Sequence, residues 1–405
     1  MHSELPAEKL RTAKFVLPFF LGNGLIYTLN TFYYTFMPIF LDKDCGFDDI
    51  ERGILLSIGP FISVFALIFW GAVSDRAKYK NNVLASLVFA SAVCFFAISF
   101  NSDFVYILAM ISLLMFFMCP YGGLIDNLTF EYASMSRFPY GIMRITGTLM
   151  YSVFTVVITI ITQTSMRTVF YLFIVLSGLS ILTVKLMIPI KGHARKRGNI
   201  SFGVFFRDRT LLTLILFLAL CQFTYGVFTN FTPSYLITTL GLPDWIWGVT
   251  IFVSLIGEYV FFVCYGRLFA YFGVKKLLLA ATFLCSLRLF FLSFSTNIVI
   301  LLIISFITGS MITVVNYAVA QYINVCIPDE LRASGQTLMY ALSSSLPRIL
   351  SGILGGVMVA NLGMPLTMGI CGGLLIAVLL ISPLLKFTMP RGELNGMFEF
   401  KKRVK

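Results

Sequence analysis

Twelve apolar runs, each long enough to cross a lipid bilayer, dominate the chain: near residues 14–41, 51–75, 82–100, 104–134, 139–163 and 167–189, then near 210–237, 245–271, 275–295, 298–326, 332–361 and 364–388. A helix needs roughly 20 predominantly apolar residues to span the hydrocarbon core. Lipid offers no hydrogen bonds to backbone groups, so runs of this kind fold as helices. Composition points the same way, with 58% of the 405 residues hydrophobic and 12% charged, where a soluble domain carries about 25% charged residues. The expected fold class is an all-α polytopic membrane protein with twelve transmembrane helices in two sets of six.

Between the sets, Ile190 to Arg209 is the longest polar stretch inside the chain and holds Lys191, His193, Arg195, Lys196, Arg197, Arg207 and Arg209. The predicted organisation is an N-terminal six-helix bundle at 1–189, a cytoplasmic linker at 190–209, a C-terminal six-helix bundle at 210–390 and a basic tail at 391–405. Lysine and arginine accumulate in cytoplasmic loops. Placing Arg76, Lys78, Lys80, Arg137, the linker, Arg267, Lys275, Lys276, Arg332 and the tail on that side leaves the other side mostly acidic, with Asp42, Asp44, Asp48, Asp49, Glu51, Asp103 and Asp244 against Lys43, Arg52 and Arg167. Both termini are then cytoplasmic, and the expected location is the inner (cytoplasmic) membrane. The net charge of +12 is spread over short loops, which argues against a nucleic-acid partner. The first apolar stretch, Phe15 to Leu41, is too long for a cleavable signal core. Seven of the eight cysteines lie in or beside apolar segments, so no disulfide framework is expected.

After the second run the chain reads Gly71-Ala-Val-Ser-Asp75-Arg76-Ala-Lys78-Tyr-Lys80. This resembles the signature loop of the major facilitator superfamily, with Lys78 where that family usually has glycine. The resemblance implies a conformational latch carried by Gly71, Asp75 and Arg76. In the second half, Gly266 to Lys276 keeps glycines and cations but has Ala270 in place of the aspartate. That is what a duplicated, pseudo-symmetric six-helix unit predicts.

Charges inside spans are costly enough that function is their default explanation. Asp126 and Arg144 each lie nine residues from Met135, in the turn between the fourth and fifth runs, and Glu258 and Arg288 each lie fifteen residues from Gly273, in the turn between the eighth and ninth. An antiparallel hairpin sets the members of each pair at one depth. Arg348, after Pro347, is a fifth buried charge for which the sequence identifies no partner.

The segments Asp126-Asn-Leu-Thr-Phe-Glu131 and Phe138-Pro-Tyr-Gly141-Ile-Met-Arg144-Ile-Thr-Gly147 resemble the helix four to five region of the lactose permease group, and also the phenylpropionate-permease-like and nucleoside-permease branches of the same superfamily. Ile256-Gly-Glu258 and Cys285-Ser-Leu-Arg288 are similar to helices eight and nine of those permeases. The resemblance implies substrate binding by Asp126 and Arg144 and proton coupling by Glu258 and Arg288. Aspartate stands where the family has glutamate. The family's helix-ten histidine has no counterpart, since the only histidines are His2 and His193. A carboxylate must then carry any coupled proton, and Glu258, flanked by Tyr259, Phe261 and Phe262, is the first choice.

Uncharged polar residues follow helical spacing on several spans, as expected of faces lining a wet cavity. The candidate substrate-binding set is Asp126, Arg144, Tyr151, Asn23, Tyr27, Asn30, Gln222, Tyr225, Glu258, Asn316 and Arg348. The reading is a secondary active transporter: proton-coupled uptake of a sugar or oligosaccharide by alternating access. A nucleoside or small aromatic carboxylate is the alternative substrate, and a non-transporting membrane sensor the distant one. No metal-ligating cluster, nucleophile elbow or phosphate-cradling glycine loop occurs in the sequence. An enzyme and a nucleotide-driven pump are therefore not expected, and neither is a cofactor. The expected partners are a small-molecule substrate, protons and membrane lipid, with the protein a monomer.

Overall fold

The structure is a computed structural model that describes residues 10–192, 209–295, 297–309, 314 and 341–381. The tenth predicted run beyond residue 309, including Asn316, and the basic tail lie outside the described residues apart from residue 314, as does most of the linker. The described residues are helices joined by short turns: α1 (Ala13–Lys43), α2 (Asp49–Arg76), α3 (Lys80–Ile98), α4 (Phe104–Ser136), α5 (Tyr140–Thr164), α6 (Met166–Leu186), α7 (Arg209–Ser234), α8 (Trp245–Val260), α9 (Lys276–Phe294), α10 (Ile298–Thr308) and α11 (Leu346–Ile381). Nine stretches among the described residues are long and apolar enough to cross a membrane. The protein is a multi-pass integral membrane protein.

Capping chemistry sets several helix starts. Asp48 and Glu51 form a reciprocal capping box that opens α2. The Asp103 carboxylate accepts from the backbone of Val105 and Tyr106 to open α4, and Asn297 does the same for α10. Arg137 takes a left-handed conformation (φ 53°) after α4 and turns the chain into α5. Gly363, at φ 76°, breaks α11 into two arms where the sequence predicts separate eleventh and twelfth helices. Where the sequence predicts a turn at Gly273, α8 and α9 are instead joined by continuous helical backbone, a single run over Trp245–Phe294.

Contacts divide the chain into two compact units. The first is Met1–Arg197 with Pro233–Val249, and the second is Gly198–Thr232 with Thr250–Lys405. In Pro233–Val249, Asp244 is buried and pairs with Lys43 of α1.

In the first unit α1 packs on α5 and α6, α3 on α4 and α6, and α2 on α4. The core is aromatic at one end, where Phe32, Phe36, Phe40, Phe95, Phe170 and Phe173 stack or meet edge to face. Such pairs add about 0.5–1.5 kcal/mol each beyond area burial. The other end is polar. Buried Lys80 reaches Glu131 at 2.5 Å and Asn127 at 2.7 Å, while the backbone of Ile190 and Gly192 pairs with Lys80 and Ala77.

Candidate functional site

In the first unit the site is built on α1, α4 and α5. The ion pair expected from the hairpin spacing is present, with Arg144 Nε 3.0 Å from Asp126 Oδ1. That contact is electrostatic rather than an aligned hydrogen bond, since Oδ1 has no hydrogen-bond partner of good geometry. The other carboxylate oxygen accepts from the Tyr27 hydroxyl at 2.9 Å. Tyr27 also lies under the arginine, its ring centre 3.8 Å from the guanidinium carbon, an arrangement in which the ring's negative face attracts the cation. One aromatic residue therefore steadies both members of the pair.

The ring needs space, and Gly147 supplies it. A Cβ there would come within 2.6 Å of the Tyr27 ring and 3.3 Å of Arg144 Nη1, so any side chain displaces the tyrosine. Gly122 borders the Tyr27 hydroxyl in the same way, at 3.4 Å. The side chains of Arg144 and Asp126 stay 30% and 34% exposed, although Asp126 Oδ1 itself is buried, so the pair is reachable without being wholly open. Thr148, one turn beyond Arg144, is a further neighbour at 3.4 Å.

The second unit offers an arginine-rich counterpart. Arg288 on α9 is buried, with its guanidinium carbon 3.4 Å from the centre of the Phe228 ring on α7. It lines a cavity of about 20 Å³ with Cys221, Thr224, Tyr225, Phe228, Cys285 and Leu289, room for about one water molecule. Arg348 on α11 donates from Nε to Gln222 at 3.3 Å and faces the Tyr225 ring at 5.5 Å. Gln222 is thus the neighbour of Arg348 that the sequence did not identify.

The candidate set is distributed unevenly. Tyr27, Asp126 and Arg144 come together, and so do Gln222, Tyr225, Arg288 and Arg348. Asn23 is fully buried, its amide donating to the Phe19 carbonyl at 2.7 Å and the Thr129 hydroxyl at 2.8 Å. It ties α1 to α4, and its Oδ1 is buried without a hydrogen-bond partner. Asn30 donates back to Ile26 in its own helix. Tyr151 and Glu258 are half-buried, and Glu258 is not among the residues lining the Arg288 cavity. On the predicted latch, Asp75 is half-buried, Arg76 is exposed and Gly71 faces open space. The six cysteines among the described residues with an assigned state are free thiols.

Helices of spanning length around partly exposed intramembrane charges define the class as a multi-pass membrane protein. The chain matches the MFS_1 like family over residues 25–367 and belongs to it. A curated relative, the "Uncharacterized transporter YwbF" of Bacillus subtilis (strain 168), is 24% identical over 139 residues, 34% of this chain and 33% of that protein. That alignment spans about a third of the relative's length.

Among solved structures, a point mutant of the nucleoside transporter NupG superposes with a TM-score of 0.82 at 17% identity, covering 92% of this chain and 99% of that one. NupG without the mutation gives 0.80 at 16% identity over 92% and 99%. A bacterial homolog of the human lysosomal transporter Spinster, in an inward-facing and unoccupied conformation, gives 0.65 at 13% identity over 93% and 99%. These likenesses establish the fold.

Proposed function

We propose that the protein is a proton-coupled secondary transporter that takes up a hydroxyl-rich solute, a sugar or oligosaccharide, by alternating access. The observation that carries this reading is the Tyr27–Asp126–Arg144 arrangement. Asp126 is an acceptor and Arg144 a planar fork of donors, the complement of vicinal hydroxyls. Both stay partly exposed, and neither is used up by its partner.

In this reading Glu258 carries the proton and Arg288 modulates its affinity. Gly71, Asp75 and Arg76 form the latch. The protein works as a monomer in the inner membrane with both termini cytoplasmic, and residues 1–189 and 210–390 are the two halves that rock. A second reading, uptake of a nucleoside, is favoured by the fold likeness to a nucleoside transporter. A nucleoside carries the same vicinal hydroxyls on its ribose.

The test is the external pH of lightly buffered cells overexpressing the protein as glycosides, nucleosides and aromatic acids are added in turn. Alkalinisation with glycosides, absent in Arg144→Ala, is the expected result. A response confined to nucleosides selects the second reading. Silence across the panel, with the protein present in the membrane, counts against proton-coupled uptake.

A further inference from the structure

Among the charges that the sequence sets inside spans, Asp126 and Arg144 balance each other in the first unit. The second unit has one acid, Glu258, against two arginines, Arg288 and Arg348. A positive charge is therefore left over, and the excess grows whenever Glu258 is protonated. Arg348 is where it shows in the structure. The residue is half-buried on α11, and among the described residues it has no carboxylate partner. Its contacts there are neutral, the Gln222 amide oxygen at 3.3 Å and the Tyr225 ring at 5.5 Å. A guanidinium inside a membrane span is costly, so a functional counter-charge is its default explanation.

Two glycines bring α11 against α7 at this level. A Cβ on Gly226 would come within 2.8 Å of Ser351 Cβ, and one on Gly355 within 3.0 Å of Val227. Ser351, near one turn beyond Arg348, donates back to the Arg348 carbonyl at 2.8 Å. The close approach sets Arg348 beside Gln222 and Tyr225, which lie about one turn apart on α7. A π-helical turn, Ala341–Ser345, runs directly into this stretch, and single π turns are frequent at functional sites. The Arg348 Nε–H donates to Gln222, so the two Nη groups remain as a parallel pair of donors at the end of the fork. A carboxylate fills that end with two hydrogen bonds and cancels the charge. A pair of hydroxyls makes the bonds and leaves the charge unbalanced.

We propose that Arg348, with Gln222 and Tyr225 beside it, is a specificity site for a carboxylate on the transported solute, so that the substrate class is a sugar acid, a uronate or glycuronide, rather than a neutral sugar. The inference rests on the hydroxyl-binding reading of Asp126 and Arg144 for the sugar ring, and adds the acidic group. Gln222 fixes the direction of the guanidinium. Being neutral, neither Gln222 nor Tyr225 competes with the carboxylate for its charge.

The test is calorimetric titration of the full-length protein in lipid nanodiscs with methyl glucoside, methyl galactoside, the matching methyl glycuronides and phenylacetate. Each glycuronide carries a carboxylate where its glycoside has a hydroxymethyl group. In at least one pair the glycuronide is expected to bind about tenfold tighter, as a charged hydrogen bond in place of a neutral one implies. Arg348→Gln should reduce that preference to about twofold or less. It should leave the glycoside affinity in place, which also shows that the variant is folded. Arg348→Lys, which keeps the charge but not the fork, should retain part of the preference. Equal affinity within both pairs, or a preference that survives Arg348→Gln, overturns the proposal and leaves the sugar reading standing. Phenylacetate binding that equals the glycuronide's and is lost in Arg348→Gln keeps Arg348 as a carboxylate site but overturns the sugar part of both readings. No saturable heat from any of these ligands overturns the proposal outright.

Discussion

The first unit holds two acid–base pairs of the same chemistry in opposite settings. Lys80 and Glu131 meet at 2.5 Å, with the lysine side chain 5% and the glutamate 26% exposed, and Asn127 is a second acceptor for the ammonium. Asp126 and Arg144 meet at 3.0 Å without hydrogen-bond alignment, both about a third exposed, over a tyrosine ring that steadies them. The first pair buries its cation between two acceptors on α4, so its work is to hold α3 against α4. The second leaves the arginine side chain about a third exposed and its contact to Asp126 unaligned, so it can exchange its partner for a ligand. Burial and completeness, not charge alone, separate a structural pair from a working one.

The contrast between the pairs is tested hardest at Lys80. Lys80→Met leaves Glu131 with its charge partner gone, and a loss of about 3 kcal/mol is expected. Thermal unfolding in detergent checks it, and the double variant Lys80→Met/Glu131→Leu should recover most of the loss. Next comes Arg144→Ala, expected to lower uptake about 100-fold, as losing a charged group that holds the solute does, with the melting temperature nearly unchanged. Stability falling as far as in Lys80→Met would erase the distinction between the pairs. No apolar double substitution at Asp126 and Arg144 should restore uptake.

A smaller effect is expected from Gly147→Ala, whose Cβ displaces the Tyr27 ring. About a tenfold weaker apparent affinity should follow, read as KM, because the arginine loses its aromatic platform. Smallest is Tyr27→Phe, which keeps the platform and removes only the hydroxyl bond to Asp126. A hydrogen bond to a carboxylate that water can still reach contributes about 1 kcal/mol net, so a roughly fivefold rise in KM is expected. Tyr27→Leu removes both, and its effect should match or exceed that of Gly147→Ala.

Much of the fold could be read without coordinates. Spanning length sets the first six helices close to where the structure has them, and matched spacing about Met135 anticipates the Asp126–Arg144 contact. At Gly273 the turn that the same argument assumes is absent. The helical backbone runs through that position, and Arg288 is found over Phe228. Lys80 reads in sequence as one more loop cation, and Lys43 and Asp244 as loop charges about 200 residues apart. Nothing local marks them as buried, because their partners are supplied by distant helices. Gly147 carries a weak signal, three residues from a buried arginine, but its neighbour Tyr27 is 120 residues away. Asn23 shares the helical spacing of Tyr27 yet turns into the α1–α4 interface, a difference of azimuth that periodicity alone cannot resolve.

Residue type and run length were enough to establish that this chain lives in a bilayer, crosses it many times and keeps a few charges inside, because burying polar backbone and charge in lipid is costly wherever it occurs. Which charges are saturated, which stay available, and the packing of Pro233–Val249 with the first unit emerged only with the tertiary structure. Those outcomes depend on which distant side chains share a low-dielectric space, and contact between distant helices leaves no local trace in the order of residues.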